Sequence, residues 1–270
     1  MGCLHMPKLG FHPAIWQCGD SEDRFWQAVS DMAAAGWDGF EVAGPILERY
    51  YDDPAPFVSR MTDFGLALAT VYSGCSFADA AALETELERV TRAADFCQAV
   101  GCEVLLIDGG TKLHGQHHGE PDYQRVAAGA NRMGEIARQR GLTCAWHQHW
   151  GTMFEFPPAF HRLMALTDPA LVKFCPDTAQ LSLGLFDLGE VFHEYIEQIA
   201  YVHFKDLGPD RRFIELGGGT IDFAPLWSLL QSREYGGWIV VDLDYTNLPP
   251  AESCRANRQY LSELGVRGGS

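Results

Sequence analysis

The stretch Thr143-Cys-Ala-Trp-His-Gln-His-Trp-Gly-Thr-Met-Phe-Glu155 predicts a short buried strand that ends in two histidines, His147 and His149. Side chains two residues apart on a strand point to the same face, so the two imidazoles would lie side by side. Packing gives a strand no reason to hold two imidazoles together. This strand end is therefore a candidate functional site.

Three later stretches end in the same manner, with an apolar run that stops at polar residues. They are Lys173-Phe-Cys-Pro-Asp177, Tyr201-Val-His-Phe-Lys-Asp206 and Trp238-Ile-Val-Val-Asp-Leu-Asp244. The polar residues that recur at these four strand ends are His147, Asp177, His203 and Asp242. Such a pattern is typical of a metal site built across the mouth of a barrel.

The whole chain alternates short apolar runs with segments of helical periodicity. The runs predict eight strands, near residues 9–16, 38–44, 66–72, 102–108, 143–149, 172–177, 200–206 and 237–244. Helices are predicted near residues 21–36, 55–64, 78–100, 122–140, 158–166, 188–199, 223–232 and 250–264. Strict alternation implies a parallel sheet, and eight strands imply a closed (β/α)8 TIM barrel that forms a single domain over residues 1–270.

A doubly wound open sheet is the alternative architecture. It would normally carry a glycine-rich phosphate loop after its first strand. The segment Phe11-His-Pro-Ala-Ile15, where the first strand runs into its loop, contains no glycine. The sequence therefore favours the barrel.

The composition of the chain indicates which partners and which cellular compartment to expect. The chain has 270 residues and a net charge of −16, which argues against nucleic acid or an anionic membrane. No apolar run approaches the ~20 residues that span a bilayer. Residues 1–8 lack the apolar core of a signal peptide, and the eight cysteines form no Cys-x-x-Cys pair. We expect reduced cysteines in a cytoplasmic protein.

The four strand-end residues His147, Asp177, His203 and Asp242 would form a His2Asp2 ligand set. Without thiolate, such a set favours Mn²⁺, Mg²⁺, Co²⁺ or Zn²⁺ over copper(I). Taken singly, a strand-end aspartate is more often a helix cap or a buried ion-pair partner, and a histidine is more often a satisfied core residue. Their recurrence on strands five to eight favours the joint metal site.

Other polar residues near these strand ends have two interpretations each. Lys205 either holds a substrate hydroxyl or oxyanion, or forms an exposed ion pair with Asp206. Glu41 either acts as a base or substrate anchor, or pairs with an arginine inside the barrel. Glu155 follows a turn and would reach back over the site. A glycine-rich loop carries three histidines that are spaced for a metal but are more typical of a solvated surface: His114, His117 and His118.

Several segments together resemble the xylose-isomerase-like TIM barrels, which include sugar isomerases, 3-epimerases and sugar dehydratases. The resemblance is closest to the inosose (2-keto-myo-inositol) dehydratase branch, and it covers most of the chain. The segments that carry it are His147-Gln-His-Trp-Gly-Thr152, Leu163-Met-Ala-Leu-Thr-Asp-Pro-Ala-Leu171, Asp177-Thr-Ala-Gln-Leu181, Val202-His-Phe-Lys-Asp206, Ile221-Asp-Phe-Ala-Pro225 and Gly237-Trp-Ile-Val-Val-Asp-Leu-Asp244.

The resemblance implies one divalent metal ion held by Glu, Asp, His and Glu from strands five to eight. Asp177 and His203 match the middle two ligands, whereas His147 and Asp242 stand where the family has glutamates. In the isomerases and epimerases those glutamates also serve as acid and base, so their replacement weighs against simple epimerisation. The His-x-His form of strand five is shared with the inosose dehydratase branch.

The resemblance also implies a substrate class, a metal ion, a metabolic pathway and an oligomeric state. Gln180 replaces a histidine that commonly touches substrate in the family, and His12, Trp16 and Glu155 are further predicted substrate contacts. The expected substrate is a small carbohydrate and the expected ion is Mn²⁺ first, with Mg²⁺, Co²⁺ or Zn²⁺ as alternatives. A role in inositol catabolism follows from the branch. Barrels of the family often pair, so a homo-oligomer is a further expectation.

The predicted chemistry proceeds through an enolate. A metal bound to a carbonyl and its neighbouring hydroxyl acidifies the adjacent C–H. His149, a neutral imidazole with an ordinary pKa of ~6.5, would remove that proton, and the metal and Lys205 would stabilise the enolate. Loss of a β-hydroxyl gives dehydration, reprotonation gives isomerisation or epimerisation, and loss of an aglycone cleaves a 3-keto C-glycoside.

Two other functions are alternatives. The replaced glutamates allow a non-catalytic sugar-binding barrel subunit, which would contain almost no metal. Related barrels cleave abasic DNA, but the charge of −16 disfavours an endonuclease.

Overall fold

The computed structural model describes residues 6–43, 46–108 and 118–269. Eight parallel strands form the barrel: β1 (Lys8–Phe11), β2 (Gly39–Ala43), β3 (Ala67–Gly74), β4 (Val104–Asp108), β5 (Thr143–His147), β6 (Val172–Cys175), β7 (Tyr201–Phe204) and β10 (Trp238–Val241). Between β7 and β10 the chain forms a small antiparallel hairpin from β8 (Asp206–Leu207) and β9 (Phe213–Ile214). The predicted strands are all present, and the loop-or-hairpin prediction for residues 212–222 is confirmed for its first residues.

The strands are ordered β6-β5-β4-β3-β2-β1-β10-β7, which leaves β6 and β7 at the two ends of the sheet. Two parallel bridges, Phe174 to Ile199 and Asp177 to His203, join these ends. The predicted (β/α)8 barrel is thereby confirmed. The second bridge also places two candidate ligands on neighbouring strands at one level of the barrel.

Within the described ranges, nine α-helices accompany the strands. They are α1 (Glu22–Ala35), α2 (Ala55–Phe64), α3 (Leu83–Ala99), α4 (Glu120–Gln139), α5 (Pro157–Leu166), α6 (Thr178–Leu183), α7 (Leu188–Tyr195), α8 (Phe223–Ser232) and α9 (Pro250–Glu263). None of the described helices is long and apolar enough to cross a membrane. Helix α6 is not predicted by the sequence, and α3 begins at Leu83 rather than near residue 78.

Side chains that point into the barrel decide where a site can form. The lower interior is filled by buried side chains, among them Leu106, Tyr201 and Trp238. Gly39 on β2 leaves room for the Trp238 indole, which a Cβ at that position would meet at 2.5 Å. The interior below the strand ends is therefore a packed core, and charged side chains lie above it, at the carboxyl ends of the strands.

Candidate metal centre and active site

Four buried side chains converge at the carboxyl ends of β5, β6, β7 and β10. Each offers one ligand atom, and these atoms all lie within 4.8 Å of one another. The four residues are His147, Asp177, His203 and Asp242. They are the same four that the strand-end pattern predicts as a ligand set.

The Asp177 carboxylate lies at the centre of this cluster. Its Oδ2 is 3.4 Å from His147 Nε2 and 3.7 Å from His203 Nδ1. Its Oδ1 accepts hydrogen bonds from the backbone amides of Ala179 and Gln180, which caps helix α6. One oxygen thus holds the helix start while the other faces the histidines, so the helix-cap and cluster interpretations of Asp177 both apply.

His203 is oriented by a carboxylate outside the cluster. Its Nε2 lies 2.8 Å from Glu41 Oε2, and His12 Nδ1 lies 2.9 Å from the other Glu41 oxygen. Since a carboxylate only accepts, Nε2 carries a proton and Nδ1 is turned toward Asp177 and Asp242. Burial lowers the pKa of His203, but the neighbouring carboxylates, Glu41 foremost, outweigh burial and raise it to about 10. The cluster therefore favours an added positive charge.

The residues present fit a divalent metal ion. In the part of the chain that the structure describes, the buried Nδ1 atoms of His147 and His203 have no hydrogen-bond partner. Metal–ligand bonds of about 2.0–2.3 Å place opposite ligands about 4–4.6 Å apart, so the 4.8 Å spread of the four atoms needs only a small contraction. Two imidazoles and two carboxylates suit Mn²⁺, Co²⁺ or Zn²⁺.

Lys205 is buried beside the cluster, with 1% of its side chain exposed. Its Nζ lies 2.9 Å from Asp242 Oδ2, 2.7 Å from Asp244 Oδ2 and 4.0 Å from Asp177 Oδ2. Burial opposes its charge, but Asp242 and the other carboxylates raise its pKa above the ordinary value. The alternative of an exposed ion pair with Asp206 is wrong, because Lys205 is buried and pairs with other carboxylates.

The hydrogen bonds of His149 define which of its ring nitrogens carries the proton. Nδ1 lies 2.6 Å from the Trp150 carbonyl oxygen, which only accepts, so Nδ1 is protonated. Gln180 Oε1 accepts from the Trp150 amide at 3.1 Å, which turns the Gln180 NH2 toward His149 Nε2 at 3.3 Å. Burial and the nearby His147 ring lower the pKa of His149. The ring is a neutral imidazole whose Nε2 carries a lone pair.

A small cavity of about 150 Å³ opens over these groups. The predicted residues His12, Glu41, His147, His149 and Asp242 contribute to its walls. The structure thus brings the candidate base to the same cavity as two of the candidate ligands.

Two further polar residues line this cavity and are not among the predicted site residues. Tyr72, near the end of β3, donates its hydroxyl hydrogen to Asp108 Oδ2 and packs edge-on against His147. Asp244 pairs with Lys205. Both lie near the ends of barrel strands, as the predicted residues do, so the strand-end pattern that indicates the ligands also indicates these two.

Glu155 and Trp16 lie outside the walls that described residues form around this cavity. Glu155 Oε2 accepts from the Gly151 amide at 2.9 Å, and the Trp16 indole donates to Asp31 at 2.9 Å. Both stay predicted substrate contacts, although their polar atoms have partners within the chain. His114 and His117 lie outside the described residues, and His118 is not in the ligand cluster.

The family model of the xylose isomerase-like TIM barrel matches residues 29–264. The chain is 28% identical to an inosose dehydratase of Geobacillus kaustophilus, over 95% of this chain and 94% of the relative. Two of the solved structures that share the fold are an epimerase and a dehydratase. An L-ribulose 3-epimerase matches with a TM-score of 0.81 and 16% identity, over 96% of this chain and 94% of that one. The probable 3-DHS dehydratase of petrobactin synthesis from Bacillus anthracis matches with a TM-score of 0.79 and 13% identity, over 94% of this chain and 98% of that one.

The family match covers most of the chain, and the barrel with its strand-end cluster agrees with it. The resemblance seen in the sequence is confirmed, and the chain belongs to the xylose isomerase-like TIM barrel family.

Proposed function

We propose that this protein is a divalent-metal-dependent enzyme that acts on a keto sugar or keto-cyclitol through an enolate, with dehydration as the outcome. The observation that carries the proposal is the neutral His149 imidazole at the cavity that also contains His147 and Asp242 of the buried cluster. The names of the relatives support an enzyme of the dehydratase or isomerase/epimerase kind. Inositol catabolism is part of this proposal because the curated relatives are inosose dehydratases.

In this proposal His147, Asp177, His203 and Asp242 hold the ion, with Mn²⁺ expected first. A bound divalent ion supplies Lewis acidity that polarises a substrate carbonyl. Glu41 keeps the His203 Nδ1 lone pair directed at the ligand cluster, because its carboxylate fixes the proton on Nε2. We therefore assign Glu41 the role of orienting the His203 ring, instead of the role of base or substrate anchor.

His149 is the proposed general base. Its Nε2 takes the proton next to the carbonyl, after Gln180 releases its 3.3 Å contact with that nitrogen. The Trp150 carbonyl accepts the Nδ1 hydrogen and favours the imidazolium that forms. The same proton can then pass to a β-hydroxyl on that face, so that the C–O bond breaks, a C=C bond forms and water leaves.

Lys205 contributes a fixed positive charge. It lies within 4.0 Å of Asp177 and pairs with Asp242 and Asp244, so its ammonium offsets the negative charge of the cluster where an enolate would form. It also holds Asp242 in place. A neutral substrate is expected, because an acidic chain with a carboxylate-rich cluster is a poor site for a sugar phosphate.

Metal content tests the ligand set. Purified protein should carry about one divalent ion per chain, and Asp177→Ala and His203→Ala should each lose it. Asp177 also caps a helix, so the matched control is Asp187→Ala, which removes the cap of α7 but no ligand. Full metal occupancy in both ligand variants would contradict the site.

Exchange of the substrate α-hydrogen with deuterated water tests the chemistry. The metal-loaded protein should exchange the α-hydrogen of 2-keto-myo-inositol or of another neutral keto sugar, and an absorbing unsaturated product would identify dehydration. Exchange with epimer formation would identify epimerisation instead. Absence of metal and of any exchange would favour the sugar-binding barrel without catalysis.

A further inference from the structure

A buried cation lies at the edge of the ligand cluster. The Lys205 ammonium is almost fully enclosed, and three carboxylates approach its Nζ. The nearest is Asp244 Oδ2 at 2.7 Å, followed by Asp242 Oδ2 at 2.9 Å and Asp177 Oδ2 at 4.0 Å. Asp177 and Asp242 belong to the ligand cluster, whereas Asp244 does not. The ammonium therefore shares its carboxylate partners with the proposed metal ion, except for Asp244.

The lysine faces the same carboxylate oxygens that are available to an ion. Asp177 Oδ1 accepts the backbone amides that begin α6, so Oδ2 is the oxygen left for a metal–ligand bond. Asp242 Oδ2 lies 3.8 Å from His203 Nδ1 and also accepts a hydrogen bond from Lys205. Two cations that share oxygen partners in a water-poor site repel one another strongly. An ammonium centred on these two oxygens would therefore weaken the binding of a divalent ion.

Two groups outside the cluster hold the ammonium. Asp244 pairs with it at 2.7 Å, and the Phe213 ring centroid lies 4.3 Å from Nζ, in cation–π contact. Both residues line a larger cavity of about 650 Å³, together with Trp150 and Arg211, whereas Asp242 lines only the small cavity. Asp244 and Phe213 thus attract the ammonium from the side of the larger cavity, and the ligand carboxylates attract it from the side of the small one.

Asp244 differs from the ligand carboxylates in its exposure to water. Its side chain is 51% exposed, whereas that of Asp242 is 12% exposed and that of Asp177 is fully buried. Water and salt screen the charge of a half-exposed carboxylate, so Asp244 contributes little direct attraction to an ion in the cluster. The main influence of Asp244 on metal binding therefore passes through the buried ammonium that it contacts.

We propose that Asp244 is a positioning residue for the metal centre. Together with Phe213 it holds the Lys205 ammonium at the edge of the cluster, which leaves the Asp177 and Asp242 carboxylates to a divalent ion. Without this hold, the ammonium would serve as the cation of the cluster itself. The inference rests on the metal site of the proposed function and adds a residue that controls the affinity of that site.

Competition with a chelator for Mn²⁺, in about 0.15 M salt, tests the proposal through a double-mutant cycle. Asp244→Asn should lower the Mn²⁺ affinity about tenfold, because the released ammonium turns to Asp177 and Asp242. Lys205→Met should raise the affinity about tenfold, because it removes the competing charge and keeps an unbranched side chain. With Lys205→Met already present, adding Asp244→Asn should lower the affinity by less than about threefold, since no ammonium remains to be released.

Phe213→Leu tests the hold on the ammonium without changing any charge. It should lower the Mn²⁺ affinity about threefold, which corresponds to a cation–π contact at the weak end of its range. The matched control is Phe156→Leu, at an exposed ring outside the walls that described residues form around the two cavities. This pair also decides the proposal if Lys205→Met does not fold: equal affinities of the two phenylalanine variants would overturn it.

Asp95→Asn is the control for the lost carboxylate charge. Asp95 lies on α3, is 58% exposed and pairs with Arg140, so it resembles Asp244 in exposure but contacts no group of the cluster. Its substitution should leave the Mn²⁺ affinity unchanged. A tenfold loss in this variant would show that the affinity follows the net charge of the chain, and would overturn the assignment of Asp244.

The cycle separates this inference from the proposed function. An equal loss for Asp244→Asn with and without Lys205 would show that Asp244 acts through its own charge, and would overturn the inference. An unchanged affinity in Asp244→Asn would also overturn it, as would a lower affinity in Lys205→Met, which would make the lysine a support for Asp242. In each of these cases the parent protein still binds Mn²⁺ and the proposed metal site stands. A parent protein that does not bind Mn²⁺ would contradict the metal site itself and, with it, this inference.

Discussion

The floor and the rim of the site are built by different parts of the barrel. The floor is the ligand cluster at the ends of β5, β6, β7 and β10, where the four side chains are at most 12% exposed. The rim is formed by loop residues such as Trp150 and by Asp244, whose side chain is 51% exposed. Strands fix the positions of the floor atoms through the sheet register, whereas loops decide which substrate reaches them. Chemistry and specificity are therefore separable in this molecule.

The border between floor and rim runs between two histidines that are two residues apart. His147 is the last residue of β5 and lies 3.4 Å from Asp177. His149 lies beyond the strand and is held by the Trp150 carbonyl and Gln180. The pair offers the most direct test of the division.

The largest expected effect is from His149→Ala. We expect metal content to be retained and α-hydrogen exchange to fall by about 10²–10⁴-fold, the loss typical of a missing general base. His147→Ala should instead lower metal content and exchange together, because it removes a ligand. Metal analysis and exchange in deuterated water are measured on both variants.

His161→Ala is the control for this pair, because His161 lies on α5, is not in the ligand cluster and is bonded to Tyr195. Normal exchange by the His149 variant, together with normal metal content in the His147 variant, would show that the two roles are reversed or absent.

Glu41→Gln tests how the floor is oriented and should have an intermediate effect. Glu41 accepts from both His12 and His203, but glutamine can accept from only one of them at its single oxygen. If its NH2 group faces His203, the His203 proton moves to Nδ1 and points at Asp177 and Asp242. Metal affinity should fall about 10–100-fold, as for other lost partners of ligand histidines, measured by competition with a chelator.

The matched control is Glu103→Gln, at a glutamate that is 67% exposed and pairs with Lys8 on the surface. An unchanged affinity in the Glu41 variant would mean that the barrel wall alone orients His203.

The sequence predicts the floor better than the rim for a physical reason. A parallel barrel brings the carboxyl ends of its strands to one mouth, so apolar runs that stop at His147, Asp177, His203 and Asp242 are enough to place these residues together. The sequence does not predict helix α6, because six residues are too few to show a helical period. The helix-cap interpretation of Asp177 is nevertheless available from the sequence.

The rim depends on tertiary contacts that leave no local pattern. Lys205 and Asp206 look like an exposed pair in the sequence, yet both are buried and each has other partners. The positions of Trp150 and Arg211 depend on how two loops meet, and sequence spacing does not encode this. The metal identity, the substrate and the roles of Glu155 and Trp16 stay predictions for the same reason.

The smallest expected effect concerns residues 217–221, the segment that follows the hairpin carrying Arg211 and Phe213. The buried Asp206 carboxylate accepts the backbone amides of Gly217 and Gly219 at one oxygen and those of Leu207 and Ile221 at the other. Glycine at position 219 is needed because a Cβ there would collide with this carboxylate.

In Asp206→Asn an NH2 group would face two of these amides, and leaving buried donors unpaired costs about 1–3 kcal/mol of unfolding free energy. Urea unfolding should show a lower midpoint, with metal content near that of the parent protein because no ligand is removed. The matched control, Asp52→Asn, changes a 96% exposed carboxylate whose ion pair with Arg92 should contribute little. An Asp206 variant as stable as the Asp52 variant would show that residues 217–221 keep their conformation without the hydrogen bonds of the Asp206 carboxylate. The contrast between a floor fixed by strands and a rim held by side-chain hydrogen bonds would then not extend to this segment.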